Sequence, residues 1–295
     1  MNLYFWKKPL LKEISSLQNP LVKQIVELKS KSSKRREHEL CIIEGKKEIE
    51  IAIESGIQIE SLLVDINSTE MGSHFQDKVK EVFLCSSQIM AKVALRQSTN
   101  SLVAIAKTKY SSLNDIKVKE NPFILILENI EKPGNLGSLF RTSDAADIDL
   151  ILCTEMQTDL YNPNVIRNSL GCVFSKPIIY CTNKEALEFC KMNNVLTYAT
   201  FLHTESYYYQ KDFKKPTAII FGTESTGISP FWQEAADALL VRGEKRQDLI
   251  VGAYLVDIAL GDDKLPRPTH FREKFRLYGP SVDYLAPQSL QQSGV

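Results

Sequence analysis

Long apolar runs are absent from this sequence, and so is a secretory signal. No stretch approaches the ~18 consecutive apolar residues that a membrane-spanning helix needs. The first residues, MNLYFWKKPLLK, place an aromatic stretch ahead of the lysines, whereas a signal peptide places its charges first. We therefore expect a cytoplasmic protein with no membrane segment.

The sequence also lacks the spaced cysteine and histidine pairs that bind metals. It has 6 cysteines and 4 histidines, with no CxxC, HExxH or HxxxH pattern among them. Several of the cysteines lie in apolar runs, where cysteine acts as a small hydrophobic residue. We expect no metal site.

Nucleotide-binding glycine patterns are missing as well, although residues 126–147 contain a glycine turn. This stretch, ILENIEKPGNLGSLFRTSDAAD, reads as an apolar strand, a turn and an amphipathic helix. It has neither the GxxxxGK[ST] of a P-loop nor the GxGxxG of a dinucleotide site, so nucleotide hydrolysis is disfavoured. A strand, a glycine turn and a helix N-terminus still form an anion site, and Arg141 lies near enough to help hold the anion. The alternative for Arg141 is a surface arginine on an amphipathic helix.

The composition is that of an ordinary globular protein, but the basic residues are unevenly placed. Hydrophobic residues make up 43%, charged residues 24%, and the formal net charge is zero. Residues 7–36 nevertheless hold nine lysines and arginines against two glutamates. Such a cluster is typical of a surface that binds a polyanion, most often nucleic acid. A solvated helix face followed by a loop would look the same.

Alternating strands and helices predict an α/β protein of two domains. After an N-terminal extension (1–14), residues 15–109 form a small α/β domain. Residues 15–30 read as a cap followed by a helix, and a polar basic break follows from Ser30 to Arg36. LCIIEG (40–45) and IESLLVD (59–65) are strand-like stretches. Residues 110–122 are polar and contain a proline, which is typical of a linker. Residues 123–255 form a second domain, and residues 256–295 are proline-rich and predicted to be irregular or disordered.

The second domain is predicted to contain a mostly parallel sheet with helices on both faces. The predicted strands are 123–129, 148–153, 177–181, 195–201 and 217–221. The predicted helices are 136–146, 163–173, 184–193 and 230–240, the last of them with Ser229 as its N-cap and Pro230 at its first position.

Three segments, in this order, resemble the SpoU (TrmH-type) RNA methyltransferases of the SPOUT class. They are ENIEKPGNLGSLFRTSDAAD (128–147), IRNSLGCVFSKPI (166–178) and FGTESTGISPFWQEAAD (221–237). Upstream, SLQNPLVKQIVELK and IIEGKKEIEIAI are similar to the small RNA-binding domain often fused in front of that family's catalytic domain. The resemblance implies a SPOUT-like fold with a trefoil knot. It also implies a homodimer whose active sites are built across two subunits.

The activity that the resemblance implies is methyl transfer from S-adenosylmethionine to a ribose 2′-hydroxyl of rRNA or tRNA. Asn135 and Arg141 would then face an RNA phosphate and its ribose. Since an arginine keeps its proton at any ordinary pH, we interpret Arg141 as a phosphate clamp rather than a general base.

The same resemblance assigns the other site residues. Gly222 and Gly227 would line the methyl-donor pocket, with Glu224 at its edge and Thr200 as a further candidate. Without the resemblance, the stretch FGTESTGIS that begins at Phe221 reads as a strand–turn–helix connection with Glu224 near a helix N-terminus. The residues expected to bind RNA are Lys23, Lys34, Arg35, Arg36 and Ser169. For Ser169, buried packing is an equally simple explanation.

The family closes with a further motif, roughly I-P-M-x-G-x-x-x-S-L-N-V-S-V-A, which we call the third motif after those at 128–147 and 221–237. This third motif has no match here. Its place holds LLVRGEKRQDLIVGAYLVDIALG, and no asparagine occurs after Asn194. Either the end of the gene is read in a shifted frame or joined to foreign sequence, or the chain is a divergent member; we favour the former. Loss of the third motif leaves an alternative function, a non-catalytic RNA-binding protein with a degenerate donor pocket.

Overall fold

The computed structural model describes residues 10–67, 73–75, 77–95 and 102–241. The strands along the chain are β1 (Leu10–Ile14), β2 (Leu40–Glu44), β3 (Ile59–Asp65), β4 (Val79–Cys85), β5 (Leu102–Lys107), β6 (Phe123–Glu128), β7 (Leu150–Thr154), β8 (Ile178–Cys181), β9 (Leu196–Thr200), β10 (Thr217–Phe221) and β11 (Ala238–Leu240). The α-helices are α1 (Pro20–Ser30), α2 (Ser32–His38), α3 (Lys46–Glu54), α4 (Ser87–Val93), α5 (Pro133–Ala145), α6 (Pro163–Asn168), α7 (Asn183–Met192) and α8 (Pro230–Ala235).

The chain divides into two compact units. Unit 1 comprises Met1–Lys109 together with Asp159–Ser175, and unit 2 comprises Tyr110–Thr158 together with Lys176–Val295. The first segment of unit 1 ends where the predicted linker begins. Unit 1 also takes in α6 and the 3₁₀ turn Cys172–Phe174, which the sequence analysis placed in the second domain.

Unit 1 contains a mixed sheet in the order β1-β4-β3-β5-β2. Strands β1, β4 and β3 pair in parallel, while β5 pairs antiparallel with both β3 and β2. Helices α1 and α4 bury their apolar stripes against this sheet, with Ile25 and Val93 fully buried. Because β1 joins the sheet, residues from Leu10 onward belong to this unit and not to an extension.

Unit 2 contains a six-stranded sheet in the order β11-β9-β10-β6-β7-β8, and all of its pairings are parallel. Ile124 and Ile126 of β6 pack in one cluster with α7 and α8. Leu125 and Leu127 point to the opposite face and are also buried, as the alternation of side chains along a strand requires. Burial on both faces confirms the α/β fold that the sequence predicts.

Proline and side-chain caps mark where the helices begin. Asn19 caps α1 by accepting from the Leu21 amide at 2.9 Å, and Thr182 forms a capping box with Glu185 at the start of α7. Pro230 lies at the first position of α8, as predicted. These signals are local, which is why the sequence reveals them.

Three predicted elements are wrong. The predicted break from Ser30 to Arg36 contains most of helix α2. The predicted helix 230–240 ends at Ala235, and Ala238–Leu240 form β11 instead. The predicted helix 163–173 ends at Asn168, because Leu170 and Gly171 both adopt positive φ.

The predicted linker is partly packed rather than free. Its Leu113, Ile116 and Val118 lie partly buried against the core cluster of unit 2. The predicted tail 256–295 lies outside the described residues. The predicted knot depends on residues after Val241, which lie there too, so the knot stays a prediction.

Candidate active site

The sheet of unit 2 changes its direction of growth between β6 and β10. From β6 the chain adds β7 and β8 on one side, then crosses to build β9, β10 and β11 on the other. In parallel sheets, the crevice at the carboxyl ends of the strands at such a switch is the usual ligand site. Two loops leave the sheet there: the first loop (129–132) runs from β6 to α5, and the second loop (222–229) runs from β10 to α8.

The first loop is held by its backbone conformation and by a buried threonine. Asn129 adopts a left-handed φ of 51° where β6 ends. The Thr158 hydroxyl lies 2.9 Å from the Ile130 carbonyl oxygen and 2.7 Å from that of Glu131. Helix α5 then begins with Pro133, and its N-terminus adds partial positive charge to this edge of the sheet.

The second loop closes on itself. The Thr223 amide donates to the Gly227 carbonyl at 2.9 Å, and the Gly227 amide donates back to the Thr223 carbonyl at 3.1 Å. A Cβ at Gly222 would lie 1.9 Å from the Gly227 oxygen, so no side chain fits there. Gly227 has a φ of 73° and nothing within 4 Å of an added Cβ. A second molecule therefore has room to approach the backbone at Gly227.

Side chains join the two loops. Glu224 Oε2 accepts from Lys132 Nζ at 2.6 Å and from Asn135 Nδ2 at 3.3 Å. The hydrogen bond from Lys132 holds the pKa of Glu224 below its usual range, and Glu224 raises the pKa of Lys132. The structure thus brings together Asn135 and Glu224, which the sequence analysis drew from two separate motifs.

Arg141 and Thr200 have different environments. Arg141 lies on α5, six residues after Asn135, and is half-buried. Thr200 ends β9, and its hydroxyl donates to the Ile220 carbonyl at 3.0 Å. This hydrogen bond ties the end of β9 to β10, so the hydroxyl of Thr200 has a structural task in this unit.

Of the predicted RNA-binding residues in unit 1, three have exposed or partly exposed side chains. Lys23 is exposed on α1 and Arg36 is exposed on α2. Lys34 is half-buried and pairs with Glu37 at 2.8 Å. These positions leave a cationic surface along α1 and α2, with part of its charge balanced by glutamate.

Arg35, in contrast, lies inside unit 1. Its side chain is 2% exposed, and its Nε donates to Asp159 Oδ2 at 2.5 Å. Its Nη1 donates to the Leu28 carbonyl, also at 2.5 Å. The expectation that Arg35 contacts RNA does not agree with this burial, since the guanidinium is already committed to an internal ion pair.

Ser169 is likewise buried. Its hydroxyl donates to the Ile166 carbonyl at 2.7 Å, and its residue is 0% exposed. Next to it, Gly171 packs so closely that an added Cβ would lie 3.2 Å from the Cα of Glu48. The packing interpretation of this motif fits the structure, and the RNA-facing one does not.

The described part of the chain offers little for a metal or for thiol chemistry. Its six cysteines are free, and no group of three or more histidine, cysteine or acidic side chains in it could hold a metal ion. Burial raises the pKa of Cys181 to about 12. None of the described helices is both long enough and apolar enough to cross a bilayer.

Sequence reasoning missed Lys132, which contacts Glu224. It also missed Glu128 and Asn183, where Asn183 Nδ2 donates to Glu128 Oε1 at 2.5 Å. Lys132 precedes Pro133, the first residue of α5. A basic residue there could have indicated a contact with the acidic segment 221–237, which contains Glu224. Glu128 is a carboxylate ending an otherwise apolar strand, a pattern that indicates a buried polar partner. Asn183 gave no such signal, because its partners lie far away in sequence.

Comparisons with known proteins cover both units. Residues 122–242 match the SpoU rRNA Methylase family, and residues 19–104 match the MRM3-like substrate binding domain. Residues 230–284 match a protein family of unknown function, DUF2849. The second of these matches lies within the predicted first domain, and the first overlaps the predicted second domain.

Solved structures of similar proteins cover most of the chain. The crystal structure of an RNA 2′-O ribose methyltransferase is 30% identical, with a TM-score of 0.72 over 83% of this chain and 95% of that one. An AdoMet-bound rRNA methyltransferase from Sinorhizobium meliloti is 26% identical, with a TM-score of 0.76 over 84% of this chain and 97% of that one.

A further relative comes from Bacillus subtilis (strain 168). Its 23S rRNA (guanosine(2553)-2′-O)-methyltransferase RlmP is 23% identical over 227 residues, which span 77% of this chain and 88% of the relative. The family match over residues 122–242, the all-parallel sheet of unit 2 and the 30% identical methyltransferase structure all indicate the same family. The chain belongs to the SpoU family of RNA methyltransferases.

Proposed function

We propose that this protein transfers a methyl group from S-adenosylmethionine to a ribose 2′-hydroxyl of rRNA or tRNA. The observation that carries the proposal is the contact of Glu224 with Lys132 and Asn135. It joins the RNA-facing and donor-facing motifs of the family at the switch point of the sheet. Oxygen, methyl carbon and sulfur must align for transfer, so joining the two loops supplies the positioning that this chemistry needs.

The second loop fits a methyl donor. Its closed backbone leaves open space at Gly227, and Gly222 allows the tight closure that shapes it. When bound, S-adenosylmethionine supplies an electrophilic methyl group on a sulfonium. In this proposal Gly222 and Gly227 bind the donor, while Thr200 keeps the neighbouring strand end in place.

The first loop and α5 serve the RNA. In this proposal Arg141 and the N-terminus of α5 bind the phosphate, and Asn135 orients the adjacent ribose. Glu224 holds Asn135 and Lys132 in place. Lys23, Lys34 and Arg36 of unit 1 add sequence-independent attraction for the RNA backbone. We further propose that the protein acts in the cytoplasm as a homodimer.

A second candidate, an RNA-binding protein without catalysis, is favoured by one observation. The family's third motif is missing after Val241, and residues 230–284 match a different family instead. Titration calorimetry with S-adenosylmethionine separates the two candidates. Binding supports the methyltransferase, whereas no heat up to millimolar donor, with RNA binding intact, supports the second candidate.

Arg141→Ala tests the role of the guanidinium. We expect methylation to fall by about a hundredfold or more, because a charge-assisted phosphate contact is lost, while donor affinity stays nearly unchanged. Methyl incorporation into total RNA and calorimetry measure the two effects.

Lys191→Ala, an exposed lysine on α7, is the matched control and should behave as wild type. A fully active Arg141→Ala protein would remove Arg141 from the mechanism.

A further inference from the structure

A buried carboxylate contacts the end of the second loop. Glu128, the last residue of β6, is 4% exposed. Its Oε1 accepts from Asn183 Nδ2 and from Ser229 Oγ, both at 2.5 Å. Its Oε2 accepts from the Ser229 amide at 2.7 Å. Three donors thus converge on the two oxygens, the arrangement that satisfies a buried carboxylate.

The orientation of Asn183 follows from its other neighbour. Trp232 Nε1 donates to Asn183 Oδ1 at 2.8 Å, and Trp232 is fully buried. An indole nitrogen can only donate, so Oδ1 must face Trp232 and Nδ2 must face Glu128. The Asn183 side chain therefore cannot flip without losing both hydrogen bonds.

The Ser229 hydroxyl bonds to Glu128 rather than to helix α8. Ser229 occupies the N-cap position of α8, yet its hydroxyl makes no hydrogen bond to that helix and donates to Glu128. Through this contact the last residue of the second loop is bound to the end of β6. Asn183 and Trp232 extend the connection to the starts of α7 and α8.

We propose that Glu128 is a positioning residue that, with Asn183, fixes the second loop relative to the first. Since Glu128 immediately precedes the first loop, it sets the distance over which Glu224 reaches Lys132 and Asn135. The consequence for catalysis, a second loop preorganised before S-adenosylmethionine binds, rests on the proposed function.

Hydrogen exchange of the second loop, without donor, tests the positioning directly. Glu128→Gln keeps the shape of the side chain but replaces one acceptor oxygen with an NH2 donor. With its oxygen retained on the Ser229 amide, the NH2 can donate to Ser229 Oγ but faces Asn183 Nδ2, which is also a donor. We expect the amides from Thr223 to Ile228 to exchange about tenfold faster, as the loss of one charge-assisted hydrogen bond implies. Adding Asn183→Asp restores an acceptor for both the introduced amide and the indole of Trp232, and exchange should return to within about threefold of wild type.

Asp149→Asn is the matched control. Asp149 Oδ2 accepts from the Phe123 amide at 3.0 Å, at the opposite end of β6. The control should leave exchange of the second loop unchanged. The proposal is overturned if Glu128→Gln leaves the loop unchanged, if Asn183→Asp brings no rescue, or if Asp149→Asn loosens the loop equally.

Ser229→Ala covers the case in which Glu128→Gln does not fold. It removes the Oγ contact alone and keeps the amide contact, so we expect a smaller increase in exchange. Unchanged exchange in Ser229→Ala would then overturn the proposal.

Calorimetry with S-adenosylmethionine tests the link to function separately. We expect the Kd to rise about tenfold in Glu128→Gln and to recover in the double variant. Equal donor affinity in wild type and Glu128→Gln, despite faster loop exchange, overturns the preorganisation. No donor binding by wild type contradicts the proposed function, while the exchange result still decides the positioning.

Discussion

At the scale of single residues, the two glycines of the second loop have different physical reasons to be glycine. Gly222 has no room for a side chain, whereas Gly227 has room but a backbone conformation that side chains disfavour. The sequence shows both glycines in one motif and cannot separate these reasons. The difference emerges only from the closure of the loop between Thr223 and Gly227.

Gly222→Ala should therefore be far more damaging than Gly227→Ala. An added Cβ at Gly222 lies 1.9 Å from the Gly227 oxygen and forces the loop open. At Gly227 the cost is that of a left-handed residue, about 1 kcal/mol of the free energy of unfolding. Urea denaturation and donor titration measure both variants. Donor binding by Gly222→Ala at the wild-type level would contradict the role given to this closure.

Glu224 allows a prediction for pH. The hydrogen bond from Lys132 lowers the pKa of Glu224 from its ordinary 4.5, so the contact contributes above that value and is lost as pH falls through the lowered pKa. Lys132→Ala should raise the pKa of Glu224 back toward 4.5, which carboxyl-carbon NMR titration measures. Because both side chains are exposed, ~1 M salt should shrink the difference.

Asp115 is the internal control for that titration. Hydrogen bonds from Ser112 lower its pKa without any contribution from Lys132. The pKa of Asp115 should be the same in the wild type and in Lys132→Ala. A Glu224 pKa that does not respond to Lys132→Ala would show that the two loops are not joined by this contact in solution.

At the scale of elements, α2 shows why local patterns failed. The segment SSKRREH lacks an apolar stripe, so the sequence predicts a basic break. Arg35 is the buried residue of this helix, and its partner Asp159 is 124 residues away along the chain. β11 was missed for a similar reason, since its pairing with β9 is not visible in the sequence. Strands β3 and β10, which are apolar and sharply bounded, were predicted at their observed limits.

Arg35→Ala should destabilise unit 1 by about 3–5 kcal/mol, because it leaves the Asp159 side chain, only 10% exposed, without its charge partner. Its neighbour Arg36 is exposed, so Arg36→Ala should change stability by no more than ~0.5 kcal/mol. Urea denaturation measures both.

For RNA affinity the order of the two variants should be the reverse of their order for stability, with Arg36→Ala the more affected. Arg36→Ala should weaken binding and reduce the slope of log K against log salt by about 1, since one phosphate contact is removed. A stable Arg35→Ala protein with weaker RNA binding than Arg36→Ala would favour the original expectation for Arg35.

At the scale of the whole molecule, unit 1 is discontinuous in sequence. The chain leaves unit 2 after Thr158, contributes Asp159–Ser175 to unit 1, and returns at Lys176. Within unit 1 this segment brings the partner of Arg35, and Tyr161, whose hydroxyl accepts from the Lys109 amide at 2.9 Å. The family motif IRNSLGCVFSKPI lies largely in this segment, a placement that its position in the sequence does not reveal.

Cutting the chain between Tyr110 and Ser111 should therefore not separate the two fragments. A protease site inserted there, where Tyr110 is exposed, leaves Asp159–Ser175 attached to the second fragment. We expect the fragments to coelute in size-exclusion chromatography, because that segment stays folded into unit 1. Coelution should weaken with Asp159→Ala. A first fragment that elutes alone when Asp159 is intact would contradict the division into units.

The discontinuity also governs how parts of this protein can be exchanged with relatives. A chimera that takes everything up to Lys109 from another SpoU enzyme has a unit 1 of mixed origin. Asp159 and Gly171, which stay behind, then meet neighbours they were not matched to. Recombination at one junction splits unit 1. Three crossovers, one after Lys109 and two flanking Asp159–Ser175, transfer unit 1 whole.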